Sequence, residues 1–209
     1  MSTIVLVRHG QTDLSRADYF CGTTDPPLDA VGREMAEAVA ARAARERWAA
    51  LHASPLLRAR ETAEAIGRRI GLPVQIEPDL REIAYGAWEA RRAADVRQSD
   101  SARYQEWVAS PATVAPPGGG ESGENVAARA VPVIEAIARR HVGGGVLIVS
   151  HKTTIRLVIC SLLGVDLNLY RIRIAAPVAS FAVIEFKESG PFISLLGDTS
   201  HLPAHVRGG

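Results

Sequence analysis

Residues 3–7, Thr-Ile-Val-Leu-Val, form an unbroken β-branched and apolar run, the pattern of a strand buried on both faces. A second such run occupies 146–149. Shorter apolar stretches at 51–54, 74–76, 173–174, 181–186 and 192–196 read as further strands. Between them the apolar positions recur at helical spacing. Asp29 can cap a helix running to about Trp48, with Val31, Met35, Ala38 and Val39 on one face. Pro55 opens a helix over about 56–70, closed by Gly71 and Pro73. A helix over about 124–141 contains Pro132, where a kink is expected, and a last apolar helix over 153–163 stops at Gly164. Helices alternating with buried strands predict an α/β fold with a mainly parallel central sheet covered on both faces. Residues 87–123 change character, with helical pieces giving way to Ser110-Pro111, Pro116-Pro117 and Gly118-Gly119-Gly120. They read as an excursion over one end of the sheet, in the manner of a lid.

Composition narrows the picture. The 209 residues are 47% hydrophobic, enough for a full core, and show no repeat, linker or second domain, so one domain over 1–209 is expected. Twenty-four basic and 23 acidic residues leave a net charge of +1 without a basic stripe, which argues against a nucleic-acid partner. Two distant cysteines, Cys21 and Cys160, imply neither a disulfide framework nor a zinc site, and read as small apolar fillers. The N-terminus lacks the features of a secretory signal. Arg156 breaks the apolar run at 155–163, and no run reaches the roughly 20 residues of a membrane helix. A cytoplasmic protein without a membrane partner is expected; a homodimer is left open.

Two places share one layout. In Arg8-His9-Gly10 and in Ser150-His151-Lys152, a buried strand ends, a histidine follows and a helix comes after. Carboxyl ends of strands are where open α/β sheets place ligands. If the two strands are neighbours, His9 and His151 face one crevice; otherwise each merely caps a strand.

The run Leu6-Val7-Arg8-His9-Gly10-Gln11-Thr12 resembles the signature of the histidine phosphatase superfamily, the phosphoglycerate-mutase-like proteins of branch 1. Further blocks follow in that family's order. They are Gly22 with 25–32, Ser54-Pro55-Leu56-Leu57-Arg58 through Ala63, Leu80-Arg81-Glu82 through Glu89, Gly119-Gly120-Glu121-Ser122, and Val149-Ser150-His151. The resemblance implies a three-layer α/β/α sandwich and phosphoryl transfer through a phosphohistidine. By the same resemblance His9 is the nucleophile, Arg8, Arg58 and His151 hold the phosphoryl oxygens, and Glu82 is the proton donor.

Elementary chemistry agrees. A nucleophilic imidazole must be neutral and fixed in one tautomer, and His9 at a glycine-flanked turn can use a backbone carbonyl for that. A transferring phosphoryl group needs preorganised cations, which arginine supplies as a planar fork without a metal or other cofactor. A departing alkoxide needs a proton, and a carboxylic acid beside a phosphate can give one. Taken singly, Arg58 also reads as a solvated arginine, Glu82 as a partner of Arg81, and Trp88 and Trp107 as packing. His201 near the C-terminus reads equally as a surface residue. The Gly-rich 118–123 formally matches a dinucleotide fingerprint, but Ala115-Pro116-Pro117 rather than a strand precedes it. It reads instead as a loop bringing Glu121 and Ser122 near the substrate.

The sequence also departs from the family. Ser15 stands where an asparagine usually helps bind phosphate, Lys152 and Ala90 where glycines are usual, and Val178 where many members have asparagine. Gly22 and Lys152 join Glu121 and Ser122 as candidate substrate contacts, and the Lys152 ammonium can reach a second anionic group or point into solvent. The expected activity is a metal-independent phosphatase acting on a small phosphorylated metabolite. The alternatives are a 2,3-bisphosphoglycerate-dependent mutase, disfavoured because the stretch after Glu82 lacks a matching basic insertion, and an inactive phosphate-binding module.

Overall fold

The computed structural model describes residues 1–207. Its strands are β1 (Ser2–Arg8), β2 (Ala50–Ala53), β3 (Val74–Ile76), β4 (Gly145–Ser150), β5 (Phe181–Lys187) and β6 (Gly190–Asp198). Its helices are α1 (Asp13–Arg16), α2 (Ala30–Ala43), α3 (Leu57–Ile70), α4 (Ala93–Ser99), α5 (Ser101–Ala109), α6 (Gly123–Arg140), α7 (Lys152–Leu163) and α8 (Tyr170–Arg173). The strands form one sheet in the order β3-β2-β4-β1-β5-β6. β3, β2, β4 and β1 pair in parallel; β5 is antiparallel to both its neighbours, β1 and β6.

The two apolar runs of the sequence become the adjacent central strands β1 and β4, and their alternate residues explain the layers. Val5, Val7, Leu147 and Val149 pack with α2 and α3 through Met35, Val39, Ala63 and Ile66. Ile4, Leu6, Val146 and Ile148 pack on the other face with α6 and α7 through Val126, Ile134, Leu157 and Ile159. Every one of these side chains is less than 5% exposed, so neither face of the central pair tolerates a polar position. The result is the expected three-layer α/β/α sandwich.

Local signals hold at most boundaries. Asp29 caps α2 by accepting from the Gly32 amide, Ser122 and Asn125 form a capping box on α6, and Gly71 and Gly164 close α3 and α7 in the left-handed conformation. α6 continues through Pro132.

Two readings need correction. α2 ends at Ala43 rather than near Trp48, because the Trp48 indole turns back and donates to the Ala43 carbonyl at 2.7 Å. Its buried stripe is Met35, Ala36, Val39, Ala40 and Ala43, while Val31 faces solvent. Residues 173–174 are no strand. Arg171-Ile172-Arg173-Ile174 alternates like one, but Ile172 is 76% exposed, and the segment enters the core through Tyr170 as the short helix α8.

The 87–123 excursion packs Trp88, Val96, Trp107 and Tyr104 around Phe20 and Tyr85, which come from outside it, in a small separate core. It stands over the carboxyl end of the sheet and walls one side of the cavity there. Among the described residues, no helix is long and apolar enough to cross a membrane.

Candidate active site

The site begins at the seam between β1 and β4. Arg8 lies opposite Ser150, and the His9 amide donates to the Ser150 carbonyl at 3.1 Å, so the two histidines leave adjacent strand ends together. Their ring centroids are 5.1 Å apart and both side chains are buried. Residue 10 is glycine because the start of α2 comes so close: a Cβ at Gly10 would collide with the Gly32 carbonyl.

His9 Nδ1 lies 2.7 Å from the Gly10 carbonyl oxygen. That carbonyl can only accept, so Nδ1 carries the proton and Nε2 keeps its lone pair. Burial, and then the charges of Arg58 and Arg8, hold the His9 imidazole well below the ordinary histidine value, against a smaller opposite effect of the Gly10 bond. His151 is lowered in the same way by burial, Arg58, His9 and Arg8. Both rings are therefore neutral at pH 7. His151 Nε2 shares a 2.6 Å hydrogen bond with Ser54 Oγ, and its Nδ1 is buried without a partner.

Two arginines flank the histidines. Arg8 donates to the Ala176 carbonyl at 2.8 Å, which leaves its Nε buried and unpaired. Burial brings its pKa down to about 10, so it stays charged at neutral pH. Arg58, on α3, is 1% exposed. It donates to the carbonyls of Thr24 and Gly22, both at 2.9 Å, and its Nε too is unpaired. The loop offering those carbonyls is itself held. The Glu89 carboxylate accepts from the amides of Gly22, Thr23 and Thr24 at 2.9–3.1 Å, from Thr24 Oγ1 at 2.7 Å and from the Tyr85 amide at 2.9 Å. Desolvation raises the Glu89 pKa, but these donors outweigh it and hold the carboxyl below its usual range. A Cβ at Gly22 would collide with Glu89 and the Ile83 carbonyl. Gly22 thus acts on Arg58 through its backbone and does not line the cavity.

Glu82 turns inward rather than toward Arg81, which pairs with Glu121 at 2.9 Å. The Glu82 carboxylate sits over the first turn of α7. It accepts from the amides of Ile83, Thr153 and Thr154 at 3.0–3.1 Å and from Thr154 Oγ1 at 3.2 Å, and it opens onto the same cavity as Arg8 and His9. The backbone carrying it is clamped from behind. Arg129 of α6 donates to the carbonyls of Asp79, Arg81 and Glu82, and both of its outer nitrogens and Nε engage that backbone or the Glu121 carboxylate.

Glu121 and Ser122, expected beside the substrate, are therefore used elsewhere: Glu121 grips Arg81, Arg129 and the Ala84 amide, and Ser122 caps α6. Neither lines the cavity. Ser15 does, but its hydroxyl is spent on Thr12, accepting from the amide at 2.9 Å and donating to the carbonyl at 3.0 Å. His201 packs against Phe181 and Arg42, outside the cavity. Cys21 lines the cavity as a thiol that burial pushes up to about 11.

The cavity measures about 180 Å³. Five basic side chains line it, Arg8, Arg58, Lys152, Arg156 and Arg171, against two acidic ones, Asp18 and Glu82. In a chain of net charge +1 this concentration marks a site for an anion. Lys152 is exposed as a residue, yet desolvation of its ammonium, with Arg8 and Arg156 nearby, brings it down to about 8. Arg156 and Arg171 escaped the sequence reading. The available signal was Arg156 itself, a charge inside an apolar helix four residues after Lys152. Among the described residues, no group of three or more His, Cys, Asp and Glu side chains is placed to hold a metal ion.

The profile of the histidine phosphatase superfamily (branch 1) matches residues 4–199. A bifunctional protein of Mycobacterium tuberculosis is 34% identical over 95% of this chain, which spans only 54% of that relative's length. A metal-independent phosphoserine phosphatase of Arabidopsis thaliana is 32% identical over 97% of this chain and 84% of its own. Among solved structures, YhfR of Bacillus stearothermophilus superposes with a TM-score of 0.90 at 29% identity, covering 97% of this chain and all of that one.

Proposed function

This chain belongs to the histidine phosphatase superfamily, branch 1, and from that premise we propose that it is a metal-independent phosphatase of a small phosphorylated metabolite. The observation that carries the reading is the state of His9. It is neutral, locked in one tautomer by the Gly10 carbonyl, and set beside His151 in a cavity bearing two buried arginines.

In this reading His9 Nε2 attacks the ester phosphorus. The bond from phosphorus to the alcohol oxygen breaks, and the departing alkoxide takes a proton from Glu82, which enters this step as the carboxylic acid, its proton shared with the bound phosphate ester, and leaves it as the carboxylate. Arg8, Arg58 and the unpaired Nδ1 side of His151 hold the three equatorial oxygens, whose charge grows in the transition state. Water then attacks the phosphohistidine with Glu82 taking its proton, and phosphate departs with His9 restored. The arginines supply the positive charge that a metal supplies in other phosphatases. The phosphoserine phosphatase relative, named as metal-independent, supports this assignment.

The test is hydrolysis of p-nitrophenyl phosphate in excess EDTA, together with trapping of an acid-labile, base-stable phosphoenzyme. Turnover and labelling are expected for the natural sequence, and neither for a folded His9→Ala protein. Activity that vanishes in EDTA and returns with magnesium, or equal labelling of both proteins, would overturn the reading.

A further inference from the structure

The reacting phosphoryl group uses one end of the cavity. The other end is basic as well, and nothing in the chemistry above employs it. Lys152 and Arg156 stand four residues apart, on one face of α7, and Arg171 comes from α8. All three line the cavity, and among the described residues none of them forms an ion pair. The acids lining the cavity are Asp18 and Glu82; both act on Lys152, and Glu82 on Arg156.

We infer that this wall, formed by Arg156 and Arg171 with Lys152 at its edge, is a recognition site for a second oxyanion carried by the substrate, a carboxylate or a second phosphate. The inference rests on the phosphatase reading only for what occupies the His9 end.

Three features support it. Arg171 is fixed in place, its guanidinium carbon 4.2 Å above the centre of the Trp107 ring, so its fork is oriented before any ligand arrives. Next, Arg156 Nε, Arg171 Nη1 and Trp107 Nε1 are buried donors without a protein partner. Buried donors are seldom left unpaired, because each loses its hydration; three around one cavity call for an acceptor from outside the chain. Finally, the cations oppose one another: after burial, Arg8 and then Arg156 hold down the Lys152 pKa, and Arg171 adds a smaller lowering to Arg156, which burial lowers against the raising effects of Tyr170, Glu82 and Tyr85. An anion between them relieves that repulsion and supplies the missing acceptors at once. The cavity, smaller than the roughly 300–1,000 Å³ of drug-sized ligand sites, suits a compact molecule with its two anions close together.

Inert phosphonates test this without relying on turnover. By calorimetry, 3-phosphonopropionate is compared with propylphosphonate, which has a methyl group in place of the carboxylate. 1,2-Ethylenediphosphonate supplies the second-phosphate arm. The natural sequence should bind at least one of the two doubly anionic probes about tenfold or more tighter than propylphosphonate, the size of one charge-assisted hydrogen bond. The tighter of the two identifies the anion. In Arg156→Gln and in Arg171→Gln the ratio should fall toward one. It is read within a single protein, so a general weakening of a variant cancels. Equal affinities in the natural sequence, or a ratio kept in both variants, would overturn the inference. Absence of binding by all three probes would overturn this site, and the phosphatase reading falls with it only where p-nitrophenyl phosphate is not turned over either. A preserved anion preference without turnover of p-nitrophenyl phosphate would overturn the phosphatase reading alone.

Discussion

Glu89 sets the position of Arg58 at second hand. Its carboxylate gathers the amides of residues 22–24, and the carbonyls of Gly22 and Thr24 in turn take up the guanidinium. A carboxylate and an arginine thus share a loop, and the arginine, whose outer nitrogens face these carbonyls and Asp25 at 3.6 Å, keeps its Nε free for a ligand.

Replacing Glu89 by Gln puts an amide donor where five donors now converge. Stability is expected to fall by about 1–3 kcal/mol, and orthovanadate affinity by roughly tenfold, because the Arg58 cradle loosens. Thermal unfolding and vanadate titration of the same preparation check this. Unchanged vanadate affinity in a destabilised protein would show that the loop keeps its shape without Glu89.

Glu82→Gln should slow hydrolysis of alkyl phosphates far more than that of p-nitrophenyl phosphate. A basic alkoxide needs a proton as it leaves, and p-nitrophenolate does not. The comparison is kcat for the two substrates in both proteins; losses of equal size would remove Glu82 from the acid role.

The histidines make stability depend on pH. His9 and His151 have folded-state values well below the ordinary 6.5, so below that pH the unfolded chain takes up protons that the folded chain refuses. Their contribution is complete above about pH 6.5 and is lost as pH falls, at up to about 1.4 kcal/mol per pH unit for each. Urea unfolding between pH 5 and 8 should show this slope, reduced in His9→Gln. A midpoint flat across that range would mean that the rings are not held neutral.

Lys152 should lose its charge around pH 8, between the cations Arg8 and Arg156 and the acids Asp18 and Glu82. For a doubly anionic substrate, kcat/KM is then expected to fall as pH rises through about 8, a fall absent in Lys152→Arg and weaker for p-nitrophenyl phosphate. Parallel pH profiles of the three cases check it; a fall of the same size in Lys152→Arg would assign it to another group.

Much of this is legible in the chain. The runs at 3–7 and 146–149 mark strands buried on both sides, and the Arg8-His9 and Ser150-His151 pairs that follow them mark their carboxyl ends. That the two strands lie side by side is not legible from pattern alone, since most of the molecule separates them in sequence; the family motif order carries it. Arg58 alone is indistinguishable from the other arginines of its helix until its carbonyl partners, from a loop over thirty residues earlier, are in view. The misplaced residues share one cause. Glu121, Ser122 and Ser15 are polar residues in a motif or loop, and the sequence does not show that backbone amides and arginines of the protein itself already claim them. Arg156 and Arg171 fail the other way, since their value lies in partners they lack.

The seam between β1 and β4 works as a ruler. Neighbouring strands lie about 4.8 Å apart whatever side chains they carry, because main-chain hydrogen bonds set that distance. The two histidine rings, one on each strand end, stand 5.1 Å apart. The spacing of the reacting end is thus inherited from the peptide backbone. The gauge that measures a phosphoryl group thus lies in the main chain, whereas α4, α5 and α8 meet the same cavity through the side chains of Ala93, Tyr104, Trp107, Tyr170 and Arg171.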